Sequence, residues 1–172
     1  MMMQMLAAGG LPALIDHVRA ADVDNLRGYF EFDPVKRTRE DPSWLPDALG
    51  KVVKIVYLLL YDLPSDYCYR VVLMQRPLDE VLASQQAMLA RRGEAGASLS
   101  PTQMIDVFAR QLEKIEQWLA DQSNFRVLKV RYHDVLARPA AEAARISDFL
   151  DAELDQVAMI AAVDPALRRQ KC

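Results

Sequence analysis

Glycine is scarce in this chain, six residues in 172, and none is gathered into a phosphate-binding loop. No Gly-x-x-x-x-Gly-Lys-Ser/Thr run occurs and no magnesium site is evident, which disfavours a kinase-like, NTP-dependent phosphotransferase. Cysteine is scarcer still. Cys68 and Cys172 lack metal-ligand spacing and, without secretory context, read as reduced thiols. The two histidines, His17 and His133, are too separated to make a metal site, so no metal is expected. Neither a Ser-His-Asp order nor a paired-carboxylate constellation stands out. The apolar run Val52 to Tyr61 falls well short of the roughly 20 residues that span a bilayer. Met1 to Ile15 has no basic leader and is broken by Gly9, Gly10 and Pro12, so it makes a poor signal peptide. A net charge of -3 argues against a nucleic-acid binder and makes any anion site local. These absences leave a cytoplasmic protein with no membrane segment, without repeats, low-complexity segments or a domain linker.

What is present is an ordinary globular composition, 52% hydrophobic and 26% charged. One domain spanning residues 1–172 is expected, long enough to bury about 70% of its unfolded surface. Met1 to Ala8 reads as a helix stopped by Gly9-Gly10, its methionines serving as core packing. Leu11 to Asp16 reads as a short strand, Asp22 to Asp33 as a polar, aromatic loop, and Pro42, Pro46 and Gly50 as brackets of a helical turn. Lys51 to Leu59 and Arg70 to Gln75 read as buried strands. Pro77 opens a helix with Asp79 and Glu80 in its first turn and Gly93 at its end. Ser100-Pro101 opens a long helix to about Gln122, and Phe125 to Tyr132 is a further strand. A turn around Asp134, a helix from about Ala140 to Leu150 and a short helix near Leu154 to Val163 complete the chain. Strands alternating with helices imply crossover units and a parallel sheet. Three main strands are few for this much helix, as though one were missing at the front.

The residues with most chemical promise sit at a strand end. Tyr69-Arg-Val-Val-Leu-Met-Gln-Arg76 runs into Pro77, and the next helix carries Ser84. In open α/β sheets the ligand crevice lies outside the carboxyl ends of the strands. There Arg76 can grip phosphate oxygens bidentately while the Ser84 hydroxyl adds a donor. The plainer alternative pairs Arg76 with Asp79 or Glu80 and leaves Ser84 to fill a helix contact. Lys54 shares a strand face with Val52, Val56 and Leu58, so its ammonium should meet a carboxylate or an anionic ligand, unless the strand starts later and leaves it wet. Lys129 and Arg131 alternate with apolar residues as a solvated face, and His133 reads as a capping or surface residue. Among the loop carboxylates Asp22, Asp24 and Glu31, which are ordinarily solvated, one is a candidate general base.

Together these segments resemble the sulfotransferase family, whose members use 3′-phosphoadenosine 5′-phosphosulfate. Arg76-Pro-Leu-Asp-Glu-Val-Leu-Ala-Ser84 resembles the strand-helix segment that binds the donor's 3′-phosphate. Val130-Arg-Tyr-His-Asp-Val-Leu-Ala-Arg-Pro139, followed by Ile146, Phe149 and Leu150, resembles the family's Tyr-Glu-Asp-Leu segment and trailing helix. Lys51-Val-Val-Lys-Ile-Val56 is similar to the strand carrying a lysine toward the sulfuryl group, and Met1 to Leu6 to the helix after the phosphosulfate loop. Asp24 to Glu31 resembles a stretch of bacterial sulfotransferase-like proteins.

The resemblance implies a three-layer parallel sheet of the P-loop nucleotide-binding type, truncated at its N-terminus. It implies Arg76 and Ser84 as donor-binding residues, Lys54 and Glu31 as catalytic ones, and a hydroxyl or amine acceptor. Three departures stand out. The loop of the Gly-x-Pro-Arg-Ser-Gly-Thr kind is absent, the position of the usual histidine base is Val56, and the glutamate of Tyr-Glu-Asp-Leu is His133. The chain is therefore expected to hold only the donor's 3′-phosphate end and to be inactive, or to be a non-catalytic binding module. A lost strand would expose apolar surface and invite self-association.

Overall fold

Each face of a small parallel sheet packs against its own apolar core in the computed structural model, which describes residues 1–18, 28–93 and 99–164. Its two strands are β1 (Tyr69–Gln75) and β2 (Phe125–Arg131), paired in parallel from Tyr69 opposite Phe125 to Gln75 opposite Arg131. Between them run α2 (Leu78–Arg92) and α3 (Pro101–Asp121); α1 (Met2–Ala8) precedes β1. After β2 come α4 (Tyr132–Ala137), α5 (Pro139–Leu150) and α6 (Gln156–Ala161). This is an α/β architecture, as the alternation of strand and helix signals implies.

Period-two alternation sorts the strand side chains. Val72, Met74, Leu128 and Val130 face a core built from Met5 and Leu6 of α1, Val135 of α4, Ile146 of α5 and Met159 of α6. Tyr69, Val71, Phe125 and Val127 face the opposite core, with Ile115 and Leu119 of α3, Trp44, Leu60 and Leu63. Glu116 pins α3 to the sheet, accepting from Lys129 Nζ at 2.6 Å and Gln75 Nε2 at 3.1 Å. On the other face Arg70 reaches the Leu150 carbonyl and the Asp151 carboxylate at the end of α5.

The helix boundaries follow local chemistry. Gly93 ends α2 at φ +66°, a left-handed conformation that costs glycine little. Ser100 and Gln103 form a reciprocal capping box at the start of α3. Ser100→Ala removes the hydroxyl that accepts the Gln103 amide and is expected to cost about 1 kcal/mol. A urea titration checks this through a lower midpoint at unchanged slope.

Two expected strands are corrected. Leu11 to Asp16 and Lys51 to Leu59 form no ladder, only a parallel bridge between Ala13 and Val52. The Leu14 amide donates to the Val52 carbonyl and the Val52 amide to the Pro12 carbonyl, and the pairing then stops. Val53, Ile55, Tyr57 and Leu59 still pack onto the second core, so the apolar alternation is real. The β-branched run makes extended backbone, but a strand needs a partner in register, which is a non-local matter. From Tyr57 to Asp62 the chain tightens into a 3-10 helix. Val56 and Leu58 are consequently exposed rather than buried beneath a covering layer.

Candidate functional site

The in-register pairing of Gln75 with Arg131 places the next residues, Arg76 and Tyr132, side by side beyond the carboxyl ends of both strands. The Arg76 guanidinium lies over the Tyr132 ring, 4.8 Å from its centroid. Its Nε donates to Glu80 Oε2 at 2.9 Å, within the first turn of α2. The side of the guanidinium toward Glu80 is thus engaged. Among the described residues no hydrogen bond reaches Nη1 or Nη2, the edge suited to bidentate oxygen binding.

Glu80 is buried, 2% exposed, although it is a carboxylate. Its other oxygen, Oε1, lies 3.0 Å from His133 Nε2, the ring nitrogen of α4 that is itself buried. Their orientation is not that of a good hydrogen bond, so the contact is chiefly electrostatic. One carboxylate therefore bridges basic groups from the ends of two strands. His133 is thus more than the capping or surface residue that its place in the sequence suggests. Ser84 is exposed and lies one helical turn beyond Glu80 on α2. The i,i+4 spacing puts Ser84 and Glu80 on one helix face.

Lys54 and Glu31 also meet. Lys54 Nζ lies 3.3 Å from Glu31 Oε1 and donates to the Tyr29 carbonyl at 3.0 Å. The ammonium lies 6.0 Å from the Tyr29 ring centroid. The carboxylate that a lysine on a covered strand would need is thus present, although Lys54 is on extended, exposed backbone rather than in a sheet. Glu31 follows Phe30, whose φ of +50° is rare for a bulky aromatic and marks a forced reversal. Asp16 braces this loop by accepting the amides of Val18 and Asp33, which hold its carboxyl below the usual range. Asp22, Asp24 and the rest of the Asp24 to Arg27 stretch lie outside the described residues, as does Cys172.

Sequence reasoning finds Glu80 only as a dipole complement and alternative partner of Arg76, and it misses Tyr132. The i,i+4 spacing of Arg76 and Glu80 is a usable signal. Nothing local announces Tyr132 and His133, because strand register brings them there.

The model of the sulfotransferase family matches residues 69–156, just over half of the chain. The chain belongs to the sulfotransferase family. The match runs from the first residue of β1 to the first of α6, so it contains Arg76, Glu80, Ser84, Tyr132 and His133. Lys54 and Glu31 fall before the sulfotransferase match begins. No curated protein and no solved structure matches the chain. Among the described residues no three His, Cys, Asp or Glu side chains converge as a metal set, and no helix is long and apolar enough to cross a membrane.

Proposed function

We propose that this sulfotransferase-family chain binds the 3′-phosphate end of 3′-phosphoadenosine 5′-phosphosulfate through Arg76 and Ser84. The observation that carries the reading is the Nη edge of Arg76, unengaged among the described residues, at the carboxyl end of a parallel strand. That is where open α/β sheets receive ligands. A guanidinium already held by Glu80 and Tyr132 loses little freedom when it takes up two phosphate oxygens. The Ser84 hydroxyl adds a neutral donor from the same helix face.

The reaction this reading serves, in a parent protein that also carries the phosphosulfate loop, is sulfuryl transfer in a three-layer fold of the P-loop type. An acceptor hydroxyl or amine attacks sulfur in line, a new bond to sulfur forms, and the bond from sulfur to the 5′-phosphate oxygen breaks. Adenosine 3′,5′-bisphosphate leaves with that electron pair. Glu31 takes the proton from the acceptor, and the Lys54 ammonium steadies negative charge near the sulfuryl oxygens. Approximation and fixed positive charge supply the rate.

No stretch of these 172 residues corresponds to a loop of the Gly-x-Pro-Arg-Ser-Gly-Thr kind, whose amides would hold the 5′-phosphosulfate. The 172-residue polypeptide is therefore expected to bind adenosine 3′,5′-bisphosphate without turning over the phosphosulfate donor. Incubation with radiolabelled donor and a panel of phenols and amines checks this. Sustained, donor-dependent label transfer overturns the expectation of inactivity and leaves the binding reading in place. A calorimetric titration showing no bisphosphate binding overturns the binding reading.

A further inference from the structure

Glu80 presents an electrostatic puzzle. An acidic side chain beside a phosphate site should repel the ligand, yet this one is 2% exposed and lies against Arg76. A buried carboxylate is retained only when basic or donor groups compensate it. Glu80 has such groups on both oxygens, Arg76 Nε at 2.9 Å and His133 Nε2 at 3.0 Å. The first comes from the end of β1 and the second from α4, just beyond β2.

We propose that Glu80 is a positioning residue for Arg76, and that His133 adds a proton-dependent charge to the unit, so that phosphate-monoester binding is coupled to protonation of His133. This rests on the reading of Arg76 as the phosphate ligand. Glu80 holds the Nε side of the guanidinium while the Tyr132 ring supports its face, and no hydrogen bond from the described residues reaches the Nη edge. Protonation of His133 adds one positive charge to the unit, and the anion is favoured. Linkage makes the coupling reciprocal: the ligand promotes protonation, and protonation promotes ligand binding. Affinity for the anion therefore falls as His133 gives up its proton.

Among the described residues His133 meets Glu80 from α2 and the Tyr132 ring, whose centroid is 5.9 Å from its own, while Arg76 is linked to it only through these two. The neighbouring Asp134 is engaged by Arg138 at 3.1 Å.

The test is calorimetric titration of adenosine 3′,5′-bisphosphate at about pH 6 and pH 8, spanning the histidine range. The parent chain is compared with Arg76→Ala, Glu80→Gln and His133→Gln. Simple electrostatics says that removing the Glu80 charge tightens anion binding; positioning says that it weakens binding. We expect Glu80→Gln to bind on the order of tenfold more weakly, about the worth of one displaced charge-assisted contact. The parent is expected to bind several-fold more tightly at the lower pH. His133→Gln is expected to lose that difference, and comparing the two cancels titration of the ligand itself. Equal or tighter binding by Glu80→Gln, while Arg76→Ala loses binding, overturns the positioning role alone. A pH dependence that survives in His133→Gln overturns the coupling. Binding unaffected by Arg76→Ala overturns the phosphate-site reading beneath both. Should Glu80→Gln fail to fold, the His133→Gln comparison decides the coupling, and Glu80→Asp decides positioning, since the shortened carboxylate keeps its charge but not its reach.

Discussion

Arg76→Ala is expected to abolish the rise in melting temperature that adenosine 3′,5′-bisphosphate gives the parent chain. For the parent, a ligand at about a hundredfold excess over Kd adds about 2.7 kcal/mol of stability. In a domain of this size that moves Tm on the order of 5–10 °C. Two charge-assisted bonds from one guanidinium contribute about 3–5 kcal/mol, so their loss weakens binding by about 100-fold or more. Arg76→Lys is expected to restore little, because an ammonium cannot present the same planar edge or rest as well on Tyr132. Ser84→Ala, which loses a neutral donor on an exposed helix face, is expected to weaken binding by less than about tenfold. Thermal melts with and without the bisphosphate check all three. A ligand-induced shift unchanged by Arg76→Ala refutes the phosphate role, while the family assignment stands on its own match.

Ile146→Ala has the largest expected effect on stability. Ile146 is fully buried in α5, in the core that joins α1, β2, α4 and α6. Truncation there removes transfer free energy and leaves a cavity whose walls, Met5, Val130, Val135 and Met159, belong to separate elements. The expected cost is about 2–5 kcal/mol. That is a large share of the roughly 5–15 kcal/mol by which domains are stable. Ile146→Val, which keeps most of the volume, is expected to cost about 0.5–1.5 kcal/mol. Val157 is 77% exposed, and Val157→Ala should change stability by no more than about 0.5 kcal/mol. Urea unfolding of the three variants orders them. An Ile146→Ala midpoint no lower than that of Val157→Ala means this core is not the one that holds the fold.

The helices are largely legible in the linear sequence. Gly93, the Ser100-Pro101 start and the apolar stripes of α3 and α5 report on interactions within a few residues, and these elements form where those signals stand. β1 and β2 are legible too, because both are runs rich in apolar residues bounded by clear breaks. Lys51 to Leu59 is the instructive failure: it has a strand's composition and alternation but lacks a partner in register beyond Val52. At the candidate site, position alone singles out Arg76 and Ser84 and alternation singles out Lys54, whereas Glu31 stands out chiefly by resemblance. That Lys54 Nζ and Glu31 Oε1 lie 3.3 Å apart, across a separation of 23 residues, is not legible in the chain's order.

The amino-acid order by itself determined where most helices start and stop, α4 excepted, which residues are apolar enough for a core, and which family the segment from β1 to α6 belongs to. These depend on local propensity, period and short-range spacing, which a linear chain carries whole. Only the tertiary structure decided that Tyr132 lies beneath Arg76 and that His133 shares Glu80 with it. That decision belongs to the parallel register of two strands about fifty residues apart, where pairing one residue differently would turn every side chain to the opposite face.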